Sequence, residues 1–194
     1  MNYRSVFALT SAIALSACGL NSVPTAEENA KARWADVQND YQRRADLIPN
    51  LVATVKAAGA QEKNILVEVT QARAAANTIR ISSSDLTDPA KLAQFDRAQS
   101  ALGLSLQRLQ EAYPELKSQA NYATLMSQLE GTENRIVIAR RDYNTAVQEY
   151  NTRIRTFPDA IGAKVFYGSK PMTPFQATTP GAETAPTVNF GNSN

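Results

Sequence analysis

Residues Tyr122 to Phe157 carry apolar side chains in alternating steps of three and four, and this pattern constrains the fold more than any other feature. Such steps place side chains on one face of an α-helix, and their persistence over about five heptads predicts one long helix with a continuous packing face. Phe157–Pro158 is predicted to end this helix because proline cannot continue it. The members of the face are Tyr122, Leu125, Leu129, Thr132, Ile136, Ala139, Tyr143, Ala146, Tyr150, Ile154 and Phe157.

Three earlier stretches have the same spacing, and each predicts a helix. The first ends at Gly59, and the third begins with Asp88 as cap and Pro89 in the first turn and ends at Tyr113–Pro114. No stretch alternates with period two, so the predicted class is all-α, an antiparallel up-and-down four-helix bundle with long first and last helices. The inward positions are Trp34, Val37, Tyr41, Ala45, Ile48, Val52 and Val55 in the first helix, Ile65, Val69, Ala72, Ala76 and Ile79 in the second, and Leu92, Phe95, Leu102, Leu106 and Leu109 in the third.

The segment before Cys18, the only cysteine of the chain, has the layout of an export signal. A positive charge at Arg4 precedes an apolar run, Ser5 to Leu15, whose roughly 11 residues are too few to cross a bilayer, which takes about 20. The end of this run, Leu15–Ser16–Ala17–Cys18, resembles the lipobox of bacterial lipoproteins, whose cysteine is acylated. We therefore predict a palmitate-type lipid on Cys18; an ordinary cleavable signal with an incidental cysteine is the alternative.

The lipid anchor predicts the location and the layout of the chain. Gly19 lacks the Asp that retains lipoproteins in the inner membrane, which favours the outer membrane of the bacterial envelope, facing the periplasm. Phe166, Tyr167 and Phe175 are predicted to pack against the membrane-proximal end of the bundle. The predicted parts are a signal peptide (1–17), a lipidated linker (18–26), the bundle (27–158), a packed C-terminal segment (159–177) and a disordered tail (178–194).

Polar residues beside the apolar faces of the first and fourth helices form the candidate site. They either pair between the two helices and fix their register, or line a docking stripe for a partner. Pro49 predicts a kink or a restart of the first helix, with Asp46 as the cap of the restarted part, and Gly131 predicts either a close helix approach or a hinge. The candidate residues are Arg43, Asp46, Asn50, Glu133, Asn134, Arg140 and Arg141.

The composition argues against an enzyme. The chain has no histidine, which removes the commonest general base and metal ligand, and Cys18 is acylated in this interpretation, which leaves no thiol nucleophile. No glycine-rich phosphate loop occurs, and Glu133 lacks the Glu-x-x-His companion of di-iron bundles, so no cofactor or metal is predicted. A net charge of +2 does not favour nucleic acid as a partner. Arg153 and Arg155 lie at the predicted membrane-proximal end, where they could contact anionic lipid, although a solvated helix face is the better explanation for them.

Four motifs in order give the chain a resemblance to a known family. They are "RRADLIPNLVATVK" (Arg43 to Lys56), "VTQARAAA" (Val69 to Ala76), "EAYPELK" (Glu111 to Lys117) and "LEGTENRIVIARRDYNTAVQEYNTRIRTFP" (Leu129 to Pro158). These motifs resemble the LemA family. The resemblance implies a membrane-associated helical bundle without known catalytic residues; many members of the family look anchored by a transmembrane helix, where this chain has the lipobox.

We expect a lipid-anchored, non-catalytic binding or scaffolding module whose partner is a protein of the envelope. Two alternatives stay open. A carrier would hold an apolar ligand or lipid between the helices, in a cavity under Pro49 and Gly131. A metal-free hydrolase would need a clustered acid pair, which the sequence does not place.

Overall fold

The computed structural model describes residues 21–59 and 63–176, and every regular element within them is helical. The predicted all-α class is confirmed. The predicted signal peptide, Cys18 and the predicted tail 178–194 lie outside the described residues. The α-helices of this part of the chain are α1 (Ser22–Ala57), α2 (Lys63–Thr78), α3 (Pro89–Ala112), α4 (Ala120–Arg153) and α5 (Asp159–Gly162); 3-10 turns occupy Ser83–Thr87 and Pro114–Ser118, and a π-helical turn occupies Ala163–Tyr167.

Helix α1 begins at Ser22, earlier than the predicted boundary between linker and bundle at residue 27. Val23 and Ala26, which were assigned to the linker, are buried in the core, and this burial favours helix in the first turns. Pro24 does not oppose it, because the N–H groups of the first turn have no partner within the helix.

Helix α1 continues through Pro49, so the predicted restart of the helix, with Asp46 as its cap, is wrong. Pro49 has no N–H to donate to the carbonyl of Ala45. Arg73 of α2 supplies the missing donor, because its Nε lies 2.8 Å from the Ala45 oxygen. Asp46 instead accepts a hydrogen bond from Gln42 on the same helix at 2.7 Å. The kink at Pro49 stays a prediction.

Two predicted helix boundaries follow from local chemistry. Helix α1 ends at Ala57, just before Gly59, whose φ of 85° is a left-handed conformation that glycine adopts without a steric penalty. Helix α3 begins at Pro89, and the carboxylate of Asp88 accepts hydrogen bonds from the backbone N–H groups of Ala90 at 2.9 Å and Lys91 at 3.3 Å.

The predicted packing face of α4 is buried or half-buried from Tyr122 to Ile154, but it does not extend to Phe157. Phe157 is 83% exposed, so its place on that face is wrong. Helix α4 ends at Arg153, and the residues that follow form turns. Phe157 therefore no longer shares the helical spacing that predicted its burial.

Interhelix contacts give the relative directions of the long helices. Trp34 and Arg44 of α1 contact Tyr143 and Glu133 of α4, so these helices run in opposite directions. Tyr41 and Arg44 contact Phe95 and Gln99 of α3, so α1 and α3 run in the same direction.

The buried side chains form two clusters on either side of Arg44. The aromatic cluster lies toward the start of α1 and contains Trp34, Tyr41, Phe95, Tyr143, Tyr150 and Phe175 with smaller apolar residues. The aliphatic cluster lies toward the end of α1 and contains Ile48, Leu51, Val55, Leu66, Val69, Leu102, Leu106, Leu109 and Leu129, with Tyr113 and Tyr122.

Candidate functional site

A buried arginine joins three helices between the two clusters. Arg44 is only 3% exposed, and its Nη1 lies 2.7 Å from Oε1 of Glu133 on α4. Its Nη2 donates to Gln99 on α3, at 3.1 Å to the backbone oxygen and 2.5 Å to the side-chain oxygen. A buried guanidinium needs such partners because removing its charge from water is costly. We call Arg44, Gln99 and Glu133 the arginine layer.

A second ion pair joins α3 and α4 toward the aromatic cluster. Arg140 Nη1 lies 2.9 Å from Oδ1 of Asp96, and the guanidinium also lies over the ring of Phe175, 4.3 Å from its centre. Burial raises the pKa of the Asp96 carboxyl above its ordinary value, although the positive charge of Arg140 opposes that effect.

The structure divides the predicted polar residues into two groups. Glu133 and Arg140 make contacts between helices, as the register interpretation requires. Arg43 is exposed, and its neighbour Arg44 takes the interhelix position. The exposed predicted residues are Arg43, Asp46, Asn50, Asn134 and Arg141.

Arg44 was missed by the sequence analysis although the sequence contains a signal for it. Tyr41, Arg44 and Ile48 continue the steps of three and four, so a charged residue occupies a position of the apolar face. Asp96 and Gln99 are likewise buried on α3 without having been predicted. A buried charge at such a position indicates a partner on another helix, but the spacing does not identify that partner.

The outer face of α4 combines polar and apolar side chains. Asn134, Val137, Ile138 and Arg141 are exposed and follow the i, i+3, i+4, i+7 spacing of one helical face. Val137 is 66% exposed and Ile138 is 50% exposed, so two neighbouring large apolar side chains face solvent on this helix. We call these four residues the α4 outer face.

An extended segment, residues 169–176, runs back along α4, and we call it the strap. Two asparagines one heptad apart hold its backbone from α4. Asn144 donates to the oxygen of Phe175 at 3.0 Å and accepts from its N–H at 2.8 Å. Asn151 does the same for Met172, at 2.8 and 2.9 Å. Thr173 N–H donates to the oxygen of Leu86 at 2.8 Å, which ties the strap to the turn before α3.

Pro49 and Gly131 do not mark an interior cavity. Both residues are exposed, so they lie on the outer side of α1 and α4. A Cβ added at Gly131 would have no neighbouring atom within 4 Å, so the predicted close helix approach at Gly131 is wrong. This geometry does not favour the ligand cavity that a carrier would place under these two residues.

Two features of the described residues bear on other functions. Within residues 21–59 and 63–176, no three acidic, Cys or His side chains cluster as a metal ion would require. In that same part of the chain, no helix combines the length and the apolar content that crossing a membrane takes.

A model of the LemA family matches residues 33–190, which include most of α1, all later helices and the strap. No curated protein matches the chain.

Proposed function

Because the chain belongs to the LemA family, we propose that it is a non-catalytic binding module, anchored in the bacterial envelope by lipid on Cys18. The sequence Leu15–Ser16–Ala17–Cys18 supports the anchor, and Gly19 supports the outer membrane and a periplasm-facing orientation. The absence of histidine from the chain supports a role without catalysis.

The proposed scaffold is an up-and-down bundle of α1, α2, α3 and α4. The opposite directions of α1 and α4, and the common direction of α1 and α3, support this arrangement. Nη1 of Arg108 on α3 lies 2.6 Å from Oε1 of Glu68 on α2, which supports the pairing of the two middle helices. The arginine layer fits the role of fixing the register of α1, α3 and α4. Arg44 can reach both Gln99 and Glu133 in only one alignment of these three helices.

The α4 outer face is the observation that carries the binding function. Val137 and Ile138 present apolar surface to solvent, while Asn134 and Arg141 flank them at the spacing of one helix face. A partner that matches this surface is an amphipathic helix of an envelope protein, with apolar residues opposite Val137 and Ile138 and an acidic residue opposite Arg141.

Photocrosslinking in cells tests this function. A photoreactive amino acid replaces Val137 in the acylated protein, and a matched control carries it at Leu104, an exposed apolar residue of α3. We expect one envelope protein to crosslink at position 137 and not at 104. Ile138→Asp and Arg141→Glu should each reduce that product at least several-fold, while Arg43→Glu tests whether the exposed face of α1 takes part.

Two results would overturn the proposal. The same products at positions 137 and 104 would mean unspecific contact, and an absence of products at 137 in folded, membrane-bound protein would mean that this face has no protein partner. Labelling with an alkyne fatty acid, with Cys18→Ser as the unlabelled control, tests the anchor separately.

A further inference from the structure

An apolar patch lies at the end of the molecule where α1 begins. Phe157, Ile161, Val165 and Phe166 are all more than half exposed, and Phe157 is 83% exposed. They come from one short stretch that contains α5 and the π-helical turn. Phe166 and Tyr167 were predicted to pack on the bundle; Phe166 is instead 68% exposed, and Tyr167 is 45% exposed. We call residues 157–167 the end patch.

The end patch is fixed against the start of α1, a few residues after the predicted lipidation site in the sequence. Ala163, inside the patch, is buried in the same cluster as Val23 of the first turn of α1. Cys18 precedes Ser22 by four residues, and four residues span at most about 14 Å when fully extended. A lipid on Cys18 would therefore hold the end patch within reach of the bilayer surface.

Positive side chains lie next to the apolar residues of the patch in the sequence. Arg155, Lys164 and Lys170 are exposed. The only carboxylate between residues 155 and 170 is that of Asp159, which lies 3.8 Å from Arg153. Exposed aromatic and aliphatic side chains with cations at their edge are the composition of surfaces that enter the interface of an anionic bilayer.

We propose that the end patch docks into the surface of a phospholipid bilayer. Phe157, Ile161, Val165 and Phe166 enter the interface, while Arg155, Lys164 and Lys170 contact the phosphates of anionic headgroups. The inference rests on the proposed lipid anchor at Cys18. The inference goes beyond the anchor, because a second contact with the bilayer fixes the orientation of the long helices, which point away from the membrane. A lipid on Cys18 alone would leave that orientation free.

Fluorescence quenching in vesicles tests the contact. The acylated protein is reconstituted into phosphatidylethanolamine vesicles that contain phosphatidylglycerol and a nitroxide-labelled lipid. Phe166→Cys provides the one free thiol for an environment-sensitive dye, because the sulfur of Cys18 carries lipid. Leu104→Cys is the matched control, since Leu104 is exposed and far from the start of α1. Leu104 follows Gln99, the contact of Arg44, on a helix that runs in the same direction as α1, so at 1.5 Å per residue it lies about 40 Å along the bundle from Ser22.

We expect a blue-shifted emission and severalfold stronger quenching at position 166 than at 104. Lys164→Glu with Lys170→Glu should weaken the quenching at 166, whereas Lys117→Glu at the far end should not. Equal quenching at 166 and 104 in vesicle-bound protein would overturn the docking and leave the anchor intact. A blue shift that needs no vesicles and grows with protein concentration would overturn it in favour of self-association.

Flotation of the unlabelled protein separates the two proposals. Protein that floats with vesicles but is not quenched at 166 contradicts the end patch alone. Mass analysis that finds no lipid on Cys18 of the parent protein, together with quenching at 166 in a Cys18→Ser, Phe166→Cys protein whose only thiol is at 166, contradicts the anchor alone. Failure of both flotation and quenching overturns both.

Discussion

The two buried clusters on either side of the arginine layer are built from different structural elements. In the aromatic cluster, Trp34 packs edge-on against Phe95 and Tyr143 at 5.5 and 5.4 Å and stacks on Phe175 of the strap at 5.7 Å. The aliphatic cluster consists of side chains from the four helices α1, α2, α3 and α4 and from the region of the turn Pro114–Ser118. The strap contributes no side chain to it. Leucine and valine at regular spacing fill the space between the helices of the aliphatic half, whereas the aromatic half also needs a non-helical segment.

This difference makes the strap a structural part of one half only. Its backbone is held by asparagine side chains, and its apolar residues Met172 and Phe175 are buried in the aromatic cluster. We therefore expect changes in the aromatic half to loosen the strap, and changes in the aliphatic half to leave it in place.

The largest expected effect is the loss of the central ring of the aromatic half. Trp34→Ala should lower the free energy of unfolding by about 4 kcal/mol, because it leaves a cavity among three other rings, and Leu102→Ala in the aliphatic half by about 3 kcal/mol. Urea unfolding followed by circular dichroism measures both. Hydrogen exchange should accelerate at the Met172 and Phe175 amides in Trp34→Ala only; equal acceleration in Leu102→Ala would show that the halves are not separate.

The arginine layer between the two halves should respond next. Glu133→Ala leaves the buried Arg44 guanidinium without its carboxylate, and we expect a loss of about 3 kcal/mol. Glu68→Ala is the matched control, because the Arg108–Glu68 pair is also short, at 2.6 Å, but exposed. Its loss should be about 0.5 kcal/mol in the same urea titration. Similar losses for the two variants would contradict a special role for the layer.

The asparagines that hold the strap should have a smaller effect. Asn144→Ala removes two hydrogen bonds to Phe175, and at about 1 kcal/mol for each bond we expect a loss of about 2 kcal/mol. Asn134→Ala, on the exposed face of the same helix, should cost less than about 0.5 kcal/mol. A red shift of Trp34 emission in Asn144→Ala, measured before any unfolding, would report the displaced strap; an unchanged emission would mean that Phe175 stays on Trp34 without its backbone contacts.

Much of the helical architecture could be predicted because its signals are local. Asp88 caps α3 by accepting a hydrogen bond from the N–H of Ala90, two residues later. Gly59 follows the end of α1 in a left-handed backbone conformation, and the apolar faces of the helices repeat at a regular spacing along the sequence. Errors arose where the local pattern continued beyond the helix, as at Phe157, or where burial extended a helix into a polar segment, as at Ser22.

The candidate site was less predictable because its contacts join distant parts of the chain. Arg44 and Glu133 are 89 residues apart, and Arg43 fits the steps of three and four to Asp46 and Asn50 that predicted a polar stripe beside the apolar face. Asn144 and Asn151 lie one heptad apart, but their partners are backbone atoms of an irregular segment, which has no periodicity to detect.

The smallest effect compares two carboxylates with opposite pKa shifts. Burial raises the pKa of Asp96, so the folded protein holds this proton more tightly than the unfolded chain, and Asp96 lowers stability as pH rises above about 4, the ordinary pKa. The pKa of Asp85 is well below its usual range, first through its hydrogen bond with Lys91 and then through Ser82, so its contribution is lost as pH falls below about 4. Urea unfolding at a series of pH values should show a steeper acid loss of stability in Asp96→Asn and a shallower one in Asp85→Asn than in the parent protein. Parallel curves for the three proteins would contradict the coupling of either carboxylate to folding, and a steeper acid loss in Asp85→Asn would show that its contacts with Lys91 and Ser82 do not stabilise the folded turn before α3.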